Sequence, residues 1–221
     1  VVENSAAGGT QDVVFSSVSY SLTGRFVETL NLTGAGNING TGNEGDQTIN
    51  GNSGANTIAG LGGNDILNGG NGNDLLEGGD GDDIINGGSG TDMARYANAA
   101  AGVTVSLAIS GAQSTVGAGT DTLTGIENLG GSAFSDVLTG NAAANLLRAG
   151  SGNDKLYGGA GGDTLDGGAD TDFLDGELGA DTLTGGGGND FFYFTTALGA
   201  GNVDKILDYS VADDQIRIDN A

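Results

Sequence analysis

Aspartate recurs at a fixed nine-residue interval through two stretches of this 221-residue chain. The repeating unit is Gly-Gly-x-Gly-x-Asp-x-apolar-x, and it is clearest in Gly69–Glu77, Gly78–Asn86 and Gly158–Asp166. Rows begin at Gly42, Gly51, Gly60, Gly69, Gly78 and Gly87, and again at Gly131, Gly140, Ala149, Gly158, Gly167, Gly176 and Gly185. The sixth position carries Gln47, Asn56, Asp65, Asp74, Asp83 and Asp92, then Asp136, Asn145, Asp154, Asp163, Asp172, Asp181 and Asp190. The chemistry open to such a file is that of hard anionic oxygens held at one spacing, which is metal-ion chemistry. The eighth position is apolar in every row, with Ala94 the one weak member among residues such as Leu67, Leu76, Leu165 and Phe192. Thirteen rows hold this register, so chance does not account for it.

Composition narrows the alternatives. The net charge is −23, from 29 acidic and 6 basic side chains. The six cations, Arg25, Arg95, Arg148, Lys155, Lys205 and Arg217, are scattered, so nucleic acid and anionic lipid are not expected partners. Cysteine and histidine are absent, which removes disulfides, thiolate and typical zinc sites, and Ser-His-Asp or Cys-His catalysis. No segment approaches the roughly 20 apolar residues that span a membrane. The chain begins Val1-Val2-Glu3-Asn4 and its only methionine is Met93, which reads as a piece of a longer protein whose neighbouring domains are further partners. Glycine fills 46 positions and proline none, and aromatics are 5% of residues. A compact core is therefore not expected; a stack of thin coils needs less bulk.

The row itself says how the coil forms. Glycines at the first, second and fourth positions permit a tight turn. A very short strand follows, its eighth residue inward and the flanking ones outward. If each row is half a coil, a full coil is eighteen residues. Asp65 then lies over Asp83, Asp74 over Asp92, Asp136 over Asp154, Asp154 over Asp172, Asp163 over Asp181, and Asp172 over Asp190. Stacked strands lie about 4.8 Å apart, and two carboxylates that close repel unless a cation lies between them. Oxygen donors without nitrogen or sulfur, in a flexible turn, favour calcium over magnesium. Those six pairs, with three more bearing an amide on one side (Gln47/Asp65, Asn56/Asp74, Asn145/Asp163), predict about six to nine calcium ions. Six divalent ions take −23 to −11, and nine take it to −5.

These rows resemble the repeats-in-toxin (RTX) family of hemolysin-type calcium-binding repeats in secreted bacterial proteins. The resemblance covers Gly42–Arg95 and Gly131–Tyr193. It implies an all-β fold, a right-handed parallel β-roll (β-solenoid) of nonapeptide repeats in two blocks, with calcium ions stacked in the turns. By the same resemblance the aspartates at the sixth position are side-chain ligands, with Asn56 and Asn145 in equivalent places. Glycines at the second and fourth positions lend carbonyls: Gly63, Gly70, Gly72, Gly79, Gly81, Gly88 and Gly90, then Gly150, Gly152, Gly159, Gly161, Gly168, Gly179, Gly186 and Gly188. Phe134, Ala143 and Asp170 replace a fourth-position glycine and Glu177 a second-position one, so sites touching those rows, or Gln47, Asn56 and Asn145, should be weaker or absent. Family members leave the cell unfolded by type I secretion and fold on meeting extracellular calcium. The implied function is a calcium-folded, non-catalytic module of a secreted or cell-surface protein.

Five segments are expected: N-terminal strand-rich coils over 1–41, a first block over 42–95, a strand-rich connector over 96–130, a second block over 131–193 and a C-terminal cap over 194–221. Val27–Leu30 and Ile126–Leu129, 99 residues apart, read as strands leading into each block. The connector reads as a loop or as wider coils; wider coils keep the stack continuous and are the expectation. The tail, with Lys205–Leu207 and Gln215–Asp219, reads as cap or as a plain hairpin. A disordered Gly-Asn-Asp linker would have no reason to keep an apolar residue in register, and a metal-free solenoid none to keep aspartate there. A carbohydrate-binding or adhesive module, with a glycan or cell surface as partner, is the alternative function. Ice binding would need a regular threonine face, and glycoside chemistry a carboxylate pair in a cleft; neither is evident.

Overall fold

The computed structural model describes residues 12–197, 199 and 201–218, and no helix occurs among them. Residues 1–11 of the expected N-terminal coils and 219–221 of the expected cap, Asp219 included, lie outside the described residues. The chain forms two compact units, one of Val1–Tyr96, Ser110–Ser114 and Ala118–Ile126, the other of Ala97–Ile109, Thr115–Gly117 and Glu127–Ala221.

In the first unit the chain alternates between two parallel sheets. One takes Val13–Ser16, Thr29–Leu32, Thr48–Asn50, Ile66–Asn71, Ile84–Ser89 and Thr120–Thr124, with Gln113–Ser114 antiparallel at its edge. The other takes Tyr20–Ser21, Gly40–Thr41, Thr57–Gly62, Leu75–Asp80 and Met93–Arg95. Consecutive strands of one sheet are eighteen residues apart through the repeat block: Leu67 pairs with Ile85, and Ile58 with Leu76. The chain is therefore a parallel β-solenoid with two rows per coil.

The second unit repeats the plan. Thr104–Ser106, Val137–Thr139, Lys155–Tyr157, Phe173–Asp175, Phe191–Phe194 and Gln215–Ile218 form one parallel sheet. Asn128–Gly130, Leu146–Ser151, Thr164–Ala169, Thr182–Gly187 and Lys205–Ile206 form the other side, and Ala160–Gly161 pairs with Leu178–Gly179. The two tail strands join different sheets, each in parallel, so they do not pair as a hairpin. The connector divides as well: Thr104–Ser106 pairs with Val137–Thr139 in this unit, while Thr122–Thr124 pairs with Ile84–Asn86 in the first.

The core of each unit is a double file of eighth-position side chains. Ile49, Ile58, Leu67, Leu76, Ile85 and Ala94, and Leu138, Leu147, Leu156, Leu165, Leu174, Leu183 and Phe192, are all 0% exposed. The alternation of a strand puts their neighbours outside, and Ile66 is 39% exposed beside Leu67 at 0%. Each fully buried side chain contributes about 1.5–3 kcal/mol by transfer from water. Leu67→Ala is expected to destabilise the calcium-loaded chain by about 2–5 kcal/mol, cavity cost included, and Ile66→Ala by well under half of that. Chemical denaturation in saturating calcium measures both, and equal losses would contradict the single inward file.

Candidate metal centre

A row turns in its first six residues. In Gly69–Glu77 the second and fourth glycines, Gly70 and Gly72, have φ of 107° and 113°, a region that side chains with a Cβ disfavour. Leu61, Asp170 and Glu177 hold the same left-handed conformation without being glycine, with φ of 86°, 78° and 64°. Asp170 and Glu177 thus preserve the turn in rows where the sequence departs from the pattern. Phe134 and Ala143 are not among the residues of positive φ, and their turns differ.

The turn delivers the sixth-position side chain into the interior. Asp65, Asp74, Asp83, Asp92, Asp136, Asp154, Asp163, Asp172, Asp181 and Asp190 are each at most 3% exposed. One oxygen of each stitches two coils together. The N–H of Asn56 donates to Asp74 Oδ1 (2.7 Å), that of Asp65 to Asp83 Oδ1 (2.8 Å) and that of Asp74 to Asp92 Oδ1 (2.7 Å). In the second unit Asp136 donates to Asp154 (2.7 Å), Asn145 to Asp163 (2.8 Å), Asp154 to Asp172 (2.9 Å), Asp163 to Asp181 (2.7 Å) and Asp172 to Asp190 (3.0 Å). The vertical pairs read from the eighteen-residue coil are thereby brought together.

The second oxygen is left over. Oδ2 of Asp65, Asp74, Asp83, Asp154, Asp163, Asp172 and Asp181 is buried and has no hydrogen-bond partner. For Asp65, Asp74, Asp163 and Asp172 it lies beside the first glycine of the same row, where a carbonyl of the next coil also arrives. A methyl group on Gly69 would run into Asp74 Oδ2 and Gly87 O, one on Gly158 into Asp163 Oδ2 and Gly176 O, and one on Gly167 into Asp172 Oδ2 and Gly185 O. Carbonyls of the second and fourth positions point along the stack as well, Gly70 O at Gly88 and Gly72 O at Gly90. Among the described residues no three acidic side chains converge, and the oxygens that meet in the turns are those of the aspartates and of backbone carbonyls.

Electrostatics agree with that need. Burial pushes Asp65 up to about 7; the Gln47 N–H opposes this, and the Asp83 and Asp46 charges add to it. Burial likewise takes Asp154, Asp163 and Asp172 to about 7 and Asp83 and Asp181 to about 6. Asp74 and Asp190 are also raised, again chiefly by burial. Charge in this column is costly without a cation beside it. The donor set is all oxygen, anionic and buried, and it fits calcium.

Rows at the start of each column are different. Gln47 Oε1, Asn56 Oδ1 and Asn145 Oδ1 accept the second-position N–H of their own rows, from Asn43 (2.8 Å), Asn52 (2.9 Å) and Asn141 (2.7 Å). Their amide groups donate in turn, Asn56 to Ile38 O (2.6 Å) and Asn145 to Glu127 O (2.7 Å). Asp136, paired with Asp154 from the sequence, has both oxygens engaged: Ser132 N–H donates to Oδ2 (2.6 Å), and Ser132 Oγ (2.8 Å) and Val103 N–H (2.7 Å) donate to Oδ1.

The ladder also reaches residues that the sequence reading left out. Asp83 N–H donates to Asp121 Oδ1, Asp181 N–H to Asp204 Oδ1 and Asp190 N–H to Asp214 Oδ1, each at 3.0 Å. The signal was Asp-x-apolar in Asp121-Thr122-Leu123, Asp204-Lys205-Ile206 and Asp214-Gln215-Ile216, hidden because these lie out of phase with the nine-residue frame. A second ladder runs along the outside of the turns from the fifth position. Asp82 N–H donates to Asn64 Oδ1 (2.8 Å), Thr91 N–H to Asn73 Oδ1 (3.0 Å) and Thr171 N–H to Asn153 Oδ1 (3.0 Å).

Comparison with known families agrees with this geometry. The model of the RTX calcium-binding nonapeptide repeat matches four times, over residues 41–76, 60–94, 130–165 and 166–194, which together cover more than half of the chain. The chain belongs to the RTX calcium-binding repeat family. It is a calcium-binding structural module, and calcium is its ligand. No curated protein matches the chain.

Two outcomes follow from the division of labour at the buried aspartates. Asp74→Ala with Asp163→Ala removes two charge-assisted hydrogen bonds of about 1.5–3 kcal/mol each. Shared among several ions, that loss should raise the calcium midpoint roughly two- to fivefold. A calcium titration followed by circular dichroism reads it, and an unchanged midpoint would sink the stacked pairing. Asn153→Ala should lower the stability of the calcium-loaded chain by about 0.5–1.5 kcal/mol without changing the number of bound ions, and Asn153→Asp should restore it. A changed ion count would make Asn153 a ligand instead of a clamp.

Proposed function

We propose that this chain is a non-catalytic RTX module of a secreted or cell-surface bacterial protein, one that leaves the cell unfolded by type I secretion and folds when it meets extracellular calcium. The observation that carries the reading is the column of buried aspartates whose Oδ2 atoms lack any protein partner. Without cations the folded chain must hold these charges out of water, on top of a net charge of −23. With them, each ion draws together two coils, so binding free energy becomes folding free energy. Calcium modules of extracellular type bind at about 10⁻⁴–10⁻³ M, far above cytosolic calcium, so the same sequence is unfolded inside and folded outside. No helix among the described residues is long and apolar enough to cross a membrane, which accords with a secreted segment. Some six to nine ions fill the turns. The chain contributes stability and folding to its parent protein, whose activity resides elsewhere.

Far-UV circular dichroism from EDTA to about 10 mM calcium, a range that brackets the affinity of such modules, tests the reading. A cooperative gain of β signal that magnesium does not reproduce is the expected result. A chain that is fully folded in EDTA would be a permanent solenoid, and secretion-coupled folding would have to be abandoned.

A further inference from the structure

Asp121 lies outside every repeat row of the sequence and outside the four family matches. Yet the segment around it is laid onto the first unit as another row. Thr122, Leu123 and Thr124 pair in parallel with Ile84, Ile85 and Asn86, and Leu123 is buried like the eighth-position residues. The Thr122 N–H donates to Asp83 O (2.8 Å), as the Ile84 N–H does to Asp65 O (2.8 Å). The outer ladder continues too, with Thr120 N–H on Asp82 Oδ1 (2.8 Å). Gly119 stands where a fourth-position glycine would, with φ of 104°, and a methyl group on it would strike Gly81 O. The separation is 38 residues instead of eighteen, so the chain makes a long excursion and returns to the same register.

We propose that Asp83 and Asp121 bracket a further calcium site, closed by this returning segment. Asp83 N–H donates to Asp121 Oδ1 (3.0 Å), the same contact that links Asp65 to Asp83. Asp121 is 0% exposed and Asp83 is 1% exposed. Asp83 Oδ2 is buried without a hydrogen-bond partner, so the coil above Asp121 presents the same unused anionic oxygen as the rows of the repeat. Burial raises the Tyr96 phenol well above its usual value, and the Asp121 carboxylate and then the Asp83 charge add to this, which places the ring beside both carboxylates. The site therefore has two stacked carboxylates, a fourth-position glycine turn on each coil and an aromatic reporter. It rests on the calcium reading of the chain, and it locks the returning segment around Asp121 onto the coil of Asp83 when the ion binds.

Native mass spectrometry of the full chain in calcium counts the ions. Asp121→Asn is expected to hold one fewer than the unaltered chain. The fold tolerates an amide at this position, as Asn56 and Asn145 show. An equal count overturns the site, whereas an unaltered chain that binds no calcium overturns the calcium reading itself. A second measurement avoids altering the ligands. Terbium in place of calcium, excited through tyrosine, should lose part of its sensitised emission in Tyr96→Phe; unchanged emission would also overturn the site.

Discussion

Carboxylates buried one above another, a single strand spacing apart, are the constraint on which the rest of this molecule depends. Asp65, Asp74, Asp83, Asp154, Asp163, Asp172 and Asp181 each give one oxygen to an N–H of the coil before and have no protein donor for the other. The first contact sets the register of the coils. The second oxygen leaves a debt of desolvation that backbone and side chains do not settle, and burial drives these groups well above the usual carboxylate range. A divalent cation beside the remaining oxygen would satisfy it and cancel the repulsion between neighbours in one step. One side chain thus both sets the register and carries the unused anionic oxygen.

The thin core explains why this dependence is tolerated. Each row adds one inward residue, and the coil it closes is too small to bury a compact cluster. Glycine supplies conformations that most residues resist, and it admits carbonyls that a Cβ would block, as at Gly88 and Gly90. Both services raise the entropy lost on folding. Leu61, Asp170 and Glu177 adopt the left-handed turn at a cost of about 1 kcal/mol or more each, because the coils on either side leave them no alternative.

The first rows of the columns show how protein groups alone, in the same row and in the coil before it, satisfy the sixth-position side chain. Asn56 and Asn145 turn an amide N–H₂ toward a backbone carbonyl, and Asp136 takes the Ser132 N–H on its second oxygen. An amide is its own donor and acceptor, so these rows close without a cation. The columns therefore begin on neutral or internally satisfied groups and carry carboxylates with an unused oxygen further along. The fifth-position ladder adds a metal-independent bond on the outside of the turns, at Asn64, Asn73 and Asn153.

Within the repeat blocks nearly everything local could be read from the residues. The nine-residue spacing of aspartate and leucine determined the inward file, the two rows per coil and the pairing of Asp65 with Asp83 or Asp163 with Asp181, because periodicity in a β-solenoid maps one to one onto position in space. Outside the blocks that mapping fails. Asp121, Asp204 and Asp214 join the columns after excursions of irregular length, and only the folded chain decides where an excursion returns. Composition could not reveal that Asp136 is satisfied by Ser132, since one hydroxyl-bearing residue looks much like another until the turn aims its N–H. The sequence by itself determined the fold, the ion and the repeating buried aspartate. Tertiary structure alone decided which aspartates keep an unused oxygen, because that depends on which donors the neighbouring coil brings within hydrogen-bond reach.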